Sequence, residues 1–451
     1  IWVLDLHGNS TKKEITPEGT PDKNVFDIKT GVSIFFGLCQ KKNHAKELAL
    51  LKQSDFWGSR ENKYRMLNTA DLTDQFFKEI KISGPLYQFI NRDHDVQVNY
   101  DLGFYILDFM PVFGNGMTTA RDNFAVGTPE QLVERMEALA SEKETNIELI
   151  HQKHNIPKKK GWSIAKAKSA LEKISNHISL VRKVSYRIFD KRHIYYHDDI
   201  VWRTVRKIGQ HFENGPNISL ITARQGQAVG SPTWDTAFVS DSITDYNIFR
   251  RGGGPSFPLY LYPNEDELDQ ERKVNFDTKL YNSLSTMANH STYGKPNEVQ
   301  TFDYIYGVLY CPDYRAKYAD FLKSDFPKIP FPKSSEEFWE VSQKGTCLRK
   351  LHLMDKDIIG DTPFPFTGVG DRKILKYRFE NCKVWINESQ YFNEVPNVAW
   401  EFHIGGYQPA QKWLKDRKGQ ILSVDEVTHY QKIIKVLLET DRIMKTIAME
   451  L

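Results

Sequence analysis

The side chains in this chain that could do chemistry are suited to holding phosphate and reading base edges more than to breaking bonds. Between Arg182 and Lys207 the sequence sets Arg182, Lys183, Arg187, Lys191, Arg192, Arg203, Arg206 and Lys207 against Asp190, Asp198 and Asp199, eight cations to three carboxylates. Tyr186, Tyr195, Tyr196 and Trp202 are interleaved. Cations of this kind satisfy phosphate oxygens, and amphipathic rings pack on sugars; a solvated strand surface is the bland reading of the same residues. Two polar loop tips add to the cluster, Thr118-Thr119-Ala120-Arg121-Asp122-Asn123 and Thr222-Ala223-Arg224-Gln225-Gly226. Arginine suits guanine O6 and N7, and Asn or Gln suits adenine N6 and N7, so such tips could face a major groove. An Arg-Asp neighbour pair serves equally as a local salt bridge. Lys158, Lys159 and Lys160 make a basic loop, and Lys412, Trp413, Lys415, Arg417 and Lys418 could touch phosphate near the C-terminus.

Bond-making machinery is missing from the motif inventory. There is no GxxxxGK[ST] phosphate loop, no HExxH, no GxSxG and no strand-linked GxGxxG. Arg250 and Arg251 open the run Gly252-Gly253-Gly254, but no helix signal follows to lend a dipole, so a flexible loop is the better reading. Asp5 and His7 at a strand end either pair catalytically or cap the loop.

The elements that must position these groups follow from length and pattern. A chain of 451 residues with 26% charged and 40% hydrophobic residues has about three domains' worth of sequence and excludes a disordered or collagenous polypeptide. A net charge of +3 names no partner. Cys39, Cys311, Cys347 and Cys382 lie far apart with no CxxC pair, which fits a reducing cytoplasm, and no apolar run approaches a membrane span. IWVLDLHGN reads as a strand already in progress at Ile1, as in a fragment of something longer. VFDIKTGVSIFFGLCQK reads as two β-runs broken at Lys29-Thr30-Gly31, the second, Val32 to Cys39, a covered strand. Thr128, Pro129 and Gln131 announce a helix with a Leu132, Met136, Leu139 stripe. A second helix is expected over Ile164 to Ile178. VSYRIF, RHIYYH, NISLITA, TAFVS and FPLYLYP are short strands, helix returns over Asp303 to Leu322, and KVWINESQYF is strand-like. Ser423 and Glu426 start the last helix.

Read in order, these segments resemble the C-terminal part of type ISP restriction-modification enzymes and their type IIG relatives. The resemblance rests on DLHGNS at Asp5 to Ser10, NVFDIKTGVSI at Asn24 to Ile34, TTARDNFAV at Thr118 to Val126, YRIFDKRHIYYH at Tyr186 to His197 and SLITARQ at Ser219 to Gln225. It continues through FPLYLYP at Phe257 to Pro263, YIYGVLYCPDYRAKYADFLKSDFPKIPFP at Tyr304 to Pro332 and YQPAQKWLKDRKG at Tyr407 to Gly419. What it implies is an α/β and mixed α+β chain: the truncated end of a Rossmann-like adenine-N6 methyltransferase sheet over residues 1–100, an α+β target recognition domain over 101–400, and C-terminal helices over 401–451. Neither the S-adenosylmethionine motif nor the NPPY-type motif occurs here, and both would lie upstream of Ile1. The implied fragment therefore holds no cofactor and is inactive alone, while its parent uses S-adenosylmethionine, with ATP and Mg for motor and nuclease.

The implied partners are double-stranded DNA and the upstream domains of the same polypeptide, with no membrane. Phe26 resembles the aromatic that packs on a flipped target adenine, a buried core Phe being the alternative. Arg121, Asp122 and Asn123 match the family's recognition loop, and Arg224 with Gln225 its second segment. The DNA-binding set expected from residues and resemblance together is Arg121, Asn123, Lys158, Lys159, Lys160, Arg182, Arg187, Arg192, Tyr195, Arg203, Arg206, Arg224, Gln225, Arg250 and Arg251. Rival readings are a carbohydrate-active enzyme, which needs two carboxylates facing across a cleft, and a protein-interaction scaffold.

Overall fold

The computed structural model describes residues 1–11, 14–39, 48–73, 75–82, 89, 93–158, 161–224, 233–264 and 267–451. These fall into two compact units, Ile1–Asp101 and Leu102–Leu451.

In the first unit, β1 (Trp2–Asp5) is flanked by β2 (Ser33–Phe36) and β3 (Leu51–Asp55); the helix α1 (Arg60–Thr69) leads to the outer strand β4 (Lys78–Ile80). β1 runs antiparallel to β2 but parallel to β3, giving the order β2-β1-β3-β4. Alternation along β1 sends Leu4 into one cluster with Leu6, Val25, Phe56 and Phe77, and Val3 into another with Leu51 and Ile80. The expected hairpin partner, Val25 to Ile28, is a series of bends, and β2 pairs with β1 instead. β2 is also not covered: among the described residues it pairs with β1 alone, and Ile34, Phe35 and Phe36 stay exposed although Phe36 meets the Trp2 ring at 5.6 Å and Phe35 the Phe89 ring at 6.1 Å.

Two buried charges hold this unit. Lys63 of α1 is sealed from solvent, and its ammonium donates to the Asp22 carboxylate at 2.6 Å and to the Leu6 and Lys23 carbonyls at 2.7 Å each. All three of its protons have acceptors, which is the condition for burying a lysine. His7, at φ +48°, stacks on Trp57 at 3.3 Å and donates from Nε2 to Asp55 at 2.8 Å, while its backbone N–H caps Asp5 at 2.9 Å. Burial works against a charged ring, but hydrogen bonds to Asp55 and Glu14 and the charge of Asp5 outweigh it, raising the imidazole from 6.5 to about 9. Asp5, His7 and Asp55 have the spacing of a metal cluster, but the protonated ring already stands where a cation would. Gly8 follows at φ +83°, where a Cβ would lie 2.3 Å from the Asn24 Cα.

The second unit is built on a hairpin, Val181–Arg187 with Asp190–Tyr195, extended by Ile243–Thr244 on one edge and Val126–Gly127 on the other. Its core joins Val184 and Ile194 of the hairpin to Leu132, Met136 and Leu139 of the helix Pro129–Ala140 and to Ala167 and Leu171 of Ile164–Leu171. The Thr128–Gln131 capping box forms as the sequence predicts. The next helix ends at Leu171, well before Ile178: Ser175 and Asn176 interrupt it, the Ser179 hydroxyl donates to the Asn176 carbonyl at 2.7 Å, and a 3-10 turn follows at His177–Leu180. A second sheet carries Ala237–Ser240, Ser219–Thr222 and Ser256–Pro258, in that order. Glu298–Tyr310 packs on Ser335–His352 so closely that a Cβ at Gly345 would meet the Asp303 carbonyl at 1.8 Å. The Ser423–Glu426 capping box opens the terminal helix Val424–Met444. Among the described residues no helix is long and apolar enough to cross a membrane.

Replacing Lys63 with Ala leaves the Asp22 carboxylate buried without its counter-charge, held only by the Gly58 N–H at 2.7 Å, and chemical denaturation should show a loss of about 3–5 kcal/mol in the first unit. Because the folded-state pKa of His7 lies above its unfolded value, the stability it contributes is complete below 6.5 and disappears as pH rises through about 9. Exchange protection of the β1 amides should fall across that window in the unmodified chain and stay flat in His7→Gln.

Candidate nucleic-acid interface

The loop Thr118–Asn123 is fastened on both sides. The Thr118 N–H donates to the Arg203 carbonyl at 2.9 Å, the Trp202 N–H donates back to the Thr118 carbonyl at 2.9 Å, and Met117 donates to Thr244 at 2.8 Å. Ala120, at φ +55°, turns Arg121 inward. Arg121 is 0% exposed. Its guanidinium lies over the Trp162 ring at 4.0 Å, and Nη1 donates to the Ile200 carbonyl at 2.8 Å. Among the described residues Nε and Nη2 have no partner and no carboxylate neutralises the group, and burial pushes its pKa down to about 10, which leaves it charged at neutral pH. The expectation that Arg121 reaches a base edge is therefore corrected: in this conformation it has no surface. Asp122 accepts from the Tyr186 hydroxyl at 2.5 Å and from the Thr119 hydroxyl, so it ties the loop to the hairpin. Asn123 remains exposed.

The cationic hairpin is likewise neutralised from within. Arg182 donates to Glu213 at 2.8 Å, Arg187 to Asp245 at 2.7 Å, and Arg192 to Asp190 at 2.8 Å. Arg187 and Arg192 also lie over the Tyr186 ring, at 4.0 and 4.3 Å. Arg206 meets Asp198 at 2.9 Å. Arg417, expected near phosphate, donates instead to Asp190 at 2.9 Å and Glu426 at 3.0 Å and covers the buried Trp413 ring at 3.8 Å. Burial alone would raise the Asp190 carboxyl, but the two guanidiniums outweigh it and hold it below the usual carboxylate range. Tyr195 is sealed in the core with its hydroxyl at 2.7 Å from His177 Nδ1, so it is no contact residue. Arg182, Arg187, Arg192 and Arg206 thus form an ion-pair frame, and the local excess of cations does not make a bare positive face. Glu213, Asp245 and Glu426 took part unannounced, since no local spacing couples them to the hairpin.

The structure leaves a smaller set open. Arg203, Lys207 and Lys183 are exposed, and among the described residues none has a carboxylate partner. Arg224 is exposed directly beyond the strand Ser219–Thr222; Gln225, Lys159 and Lys160 lie outside the described residues. Lys158 pairs with Glu148. Arg250 is half-buried, its N–H on the Gly405 carbonyl at 2.8 Å, and Arg251 stands exposed at φ +65°. In the first unit Phe26 is 56% exposed, with its N–H on the Asn24 side chain at 2.8 Å, and does not take the core position that was its alternative.

Residues 108–446 match the family described as the Type ISP C-terminal specificity domain. No curated protein matches the chain. Among solved structures, the chain is similar to the ATP-dependent Type ISP restriction-modification enzyme LlaBIII bound to DNA, with a TM-score of 0.69 and 19% identity over 100% of this chain and 31% of that one. It is similar at the same TM-score, 0.69, and 18% identity to DrdV in a DNA complex, covering 100% of this chain and 48% of that one. A nuclease-deletion mutant of the Type ISP enzyme LlaGI, in complex with a DNA substrate mimic, gives 0.64 and 17% over 100% and 44%. The chain thus spans less than half the length of each, and at these identities the likeness is one of fold.

Asp190→Ala strands Arg192 without a counter-charge among the described residues and leaves Arg417 with Glu426 alone. Equilibrium unfolding of the chain should show a loss of about 3–5 kcal/mol.

Proposed function

Since the chain belongs to the Type ISP C-terminal specificity domain family, we propose that it reads the sequence of double-stranded DNA on behalf of a larger restriction-modification polypeptide. The observation that carries this is the family match over residues 108–446, nearly the whole of the second unit. Three observations support a division of labour: the ion-paired frame fixes the loops, Arg203, Lys207 and Lys183 are exposed for phosphates, and Asn123, in the short helix Asp122–Ala125, and Arg224, two residues past the strand Ser219–Thr222, are exposed with side chains suited to base edges. The carbohydrate-active alternative finds no support in the family match.

Residues 1–100 are read as the last part of an adenine-N6 methyltransferase sheet, 101–400 as the recognition domain and 401–451 as its C-terminal helices. Supporting the first of these are the parallel β1–β3 pair and the exposed apolar strand β2, which among the described residues pairs on one edge only, as suits a sheet that continues. The exposure of Phe26 supports its reading as the aromatic that would stack on the extruded adenine. S-adenosylmethionine, and ATP with Mg, would be held elsewhere in the parent; this chain carries the motif for neither, and its own residues position DNA. The four cysteines are free, as a cytoplasmic site of action would keep them.

Selection of duplexes from a randomised pool by the unmodified chain should yield a consensus. Arg224→Ala and Asn123→Ala should each lose about 1–3 kcal/mol of discrimination at one position of it, while Lys207→Ala should weaken all duplexes alike. Arg121→Ala should lower stability without selectively relaxing one position. Recovery of no consensus, or unchanged selectivity in both Arg224→Ala and Asn123→Ala, counts against the assignment.

A further inference from the structure

Beside the fastened loop lies a cleft of about 270 Å³ lined by Trp162, Lys166, Asp198, Asp199, Trp202 and Arg203. Two indoles on one small concavity is an unusual investment of apolar surface. Trp202 is 39% exposed, and the Trp162 ring is fixed by an Nε1 hydrogen bond to the Asp199 carbonyl at 2.7 Å. The charges around the cleft are unevenly matched. Asp199 is taken by Lys166 at 3.1 Å and Asp198 by Arg206 at 2.9 Å, with the Thr204 hydroxyl also on Asp198. Arg203 is left exposed with no carboxylate among the described residues. Arg121 does not line the cleft but lies over its Trp162 ring, with two unpartnered nitrogens and no carboxylate partner among the described residues. A planar ring carrying an anion is the ligand that such a site lacks: the ring meets indole, and the anion meets guanidinium.

We propose that this cleft receives a single unstacked nucleotide of bound DNA, its base against Trp202 and Trp162 and its phosphate on Arg203. The proposal rests on the reading of the chain as a DNA-recognition module and adds to it a pocket for a base that is out of the stack. The cleft is also mechanically joined to the recognition loop, because Thr118 exchanges backbone hydrogen bonds with Trp202 and Arg203. Filling the cleft would therefore bear on the segment that leads into the helix Asp122–Ala125 carrying Asn123.

The experiment compares two probes, a thymidine dodecamer, whose bases are free to unstack, and a mixed-sequence blunt duplex, by fluorescence anisotropy over a range of salt. Trp202→Ala should weaken the dodecamer about tenfold and leave the duplex nearly unchanged, and Trp202→Phe should restore most of the loss. Arg203→Ala should lower the salt slope for the dodecamer by about 0.7, the value of one single-strand phosphate contact. Equal weakening of both probes by Trp202→Ala, or of neither, overturns the cleft while leaving DNA recognition standing. Failure of the unmodified chain to bind either probe overturns both.

Discussion

A carboxylate sealed from water has to be matched in charge where it sits, and meeting that requirement at Asp190 arranges much of the second unit. Asp190 accepts from Arg192 on its own strand and from Arg417, 227 positions away in sequence. Arg417 in turn reaches Glu426 in the first turn of the terminal helix, and His429 on the same helix donates to the Phe189 carbonyl at 2.7 Å, in the hairpin turn. The stretch around Arg417 and the terminal helix are thereby locked to one hairpin. Such pairs add little net stability over an apolar core of the same shape, but removing one member is expensive, so the geometry is specified strongly.

That frame bears on recognition in an indirect way. Discrimination between base pairs needs donors held in place before DNA arrives, since a side chain that must first be ordered gives back part of its binding energy. Here the arginines nearest the hairpin are consumed in holding the loops still, and the Thr118–Asn123 segment is tied down through Asp122, Arg121 and its backbone. On the proposed reading, the exposed Asn123 and Arg224 would read the bases, and neither belongs to the ion-paired frame.

In the first unit the same physics appears at Lys63, whose three protons find Asp22 and two carbonyls. Nothing in the spacing of α1 marks that residue as buried. Its mean environment in sequence is that of a solvated helix, and only the return of the segment around Asp22 beneath α1 supplies the acceptors. β2 fails in the opposite direction: its apolar run reads as a covered strand, but covering depends on neighbours that the run itself cannot specify.

Sequence alone determined what depends on a few adjacent residues. The capping boxes at Thr128 and Ser423, the helical stripe Leu132, Met136, Leu139, and the short strands of the hairpin and second sheet could be read directly, because hydrogen bonds at a helix start and side-chain alternation are set within a turn or two. The order of the quoted segments also carried the family resemblance. Only the tertiary structure decided which of the eight cations between Arg182 and Lys207 meet solvent, that Arg121 points inward, and that Trp162 and Trp202 share a cleft. Ion pairing and burial depend on distance in space, and partners such as Asp245, Glu213 and Arg417 come from parts of the chain with which the hairpin has no local spacing.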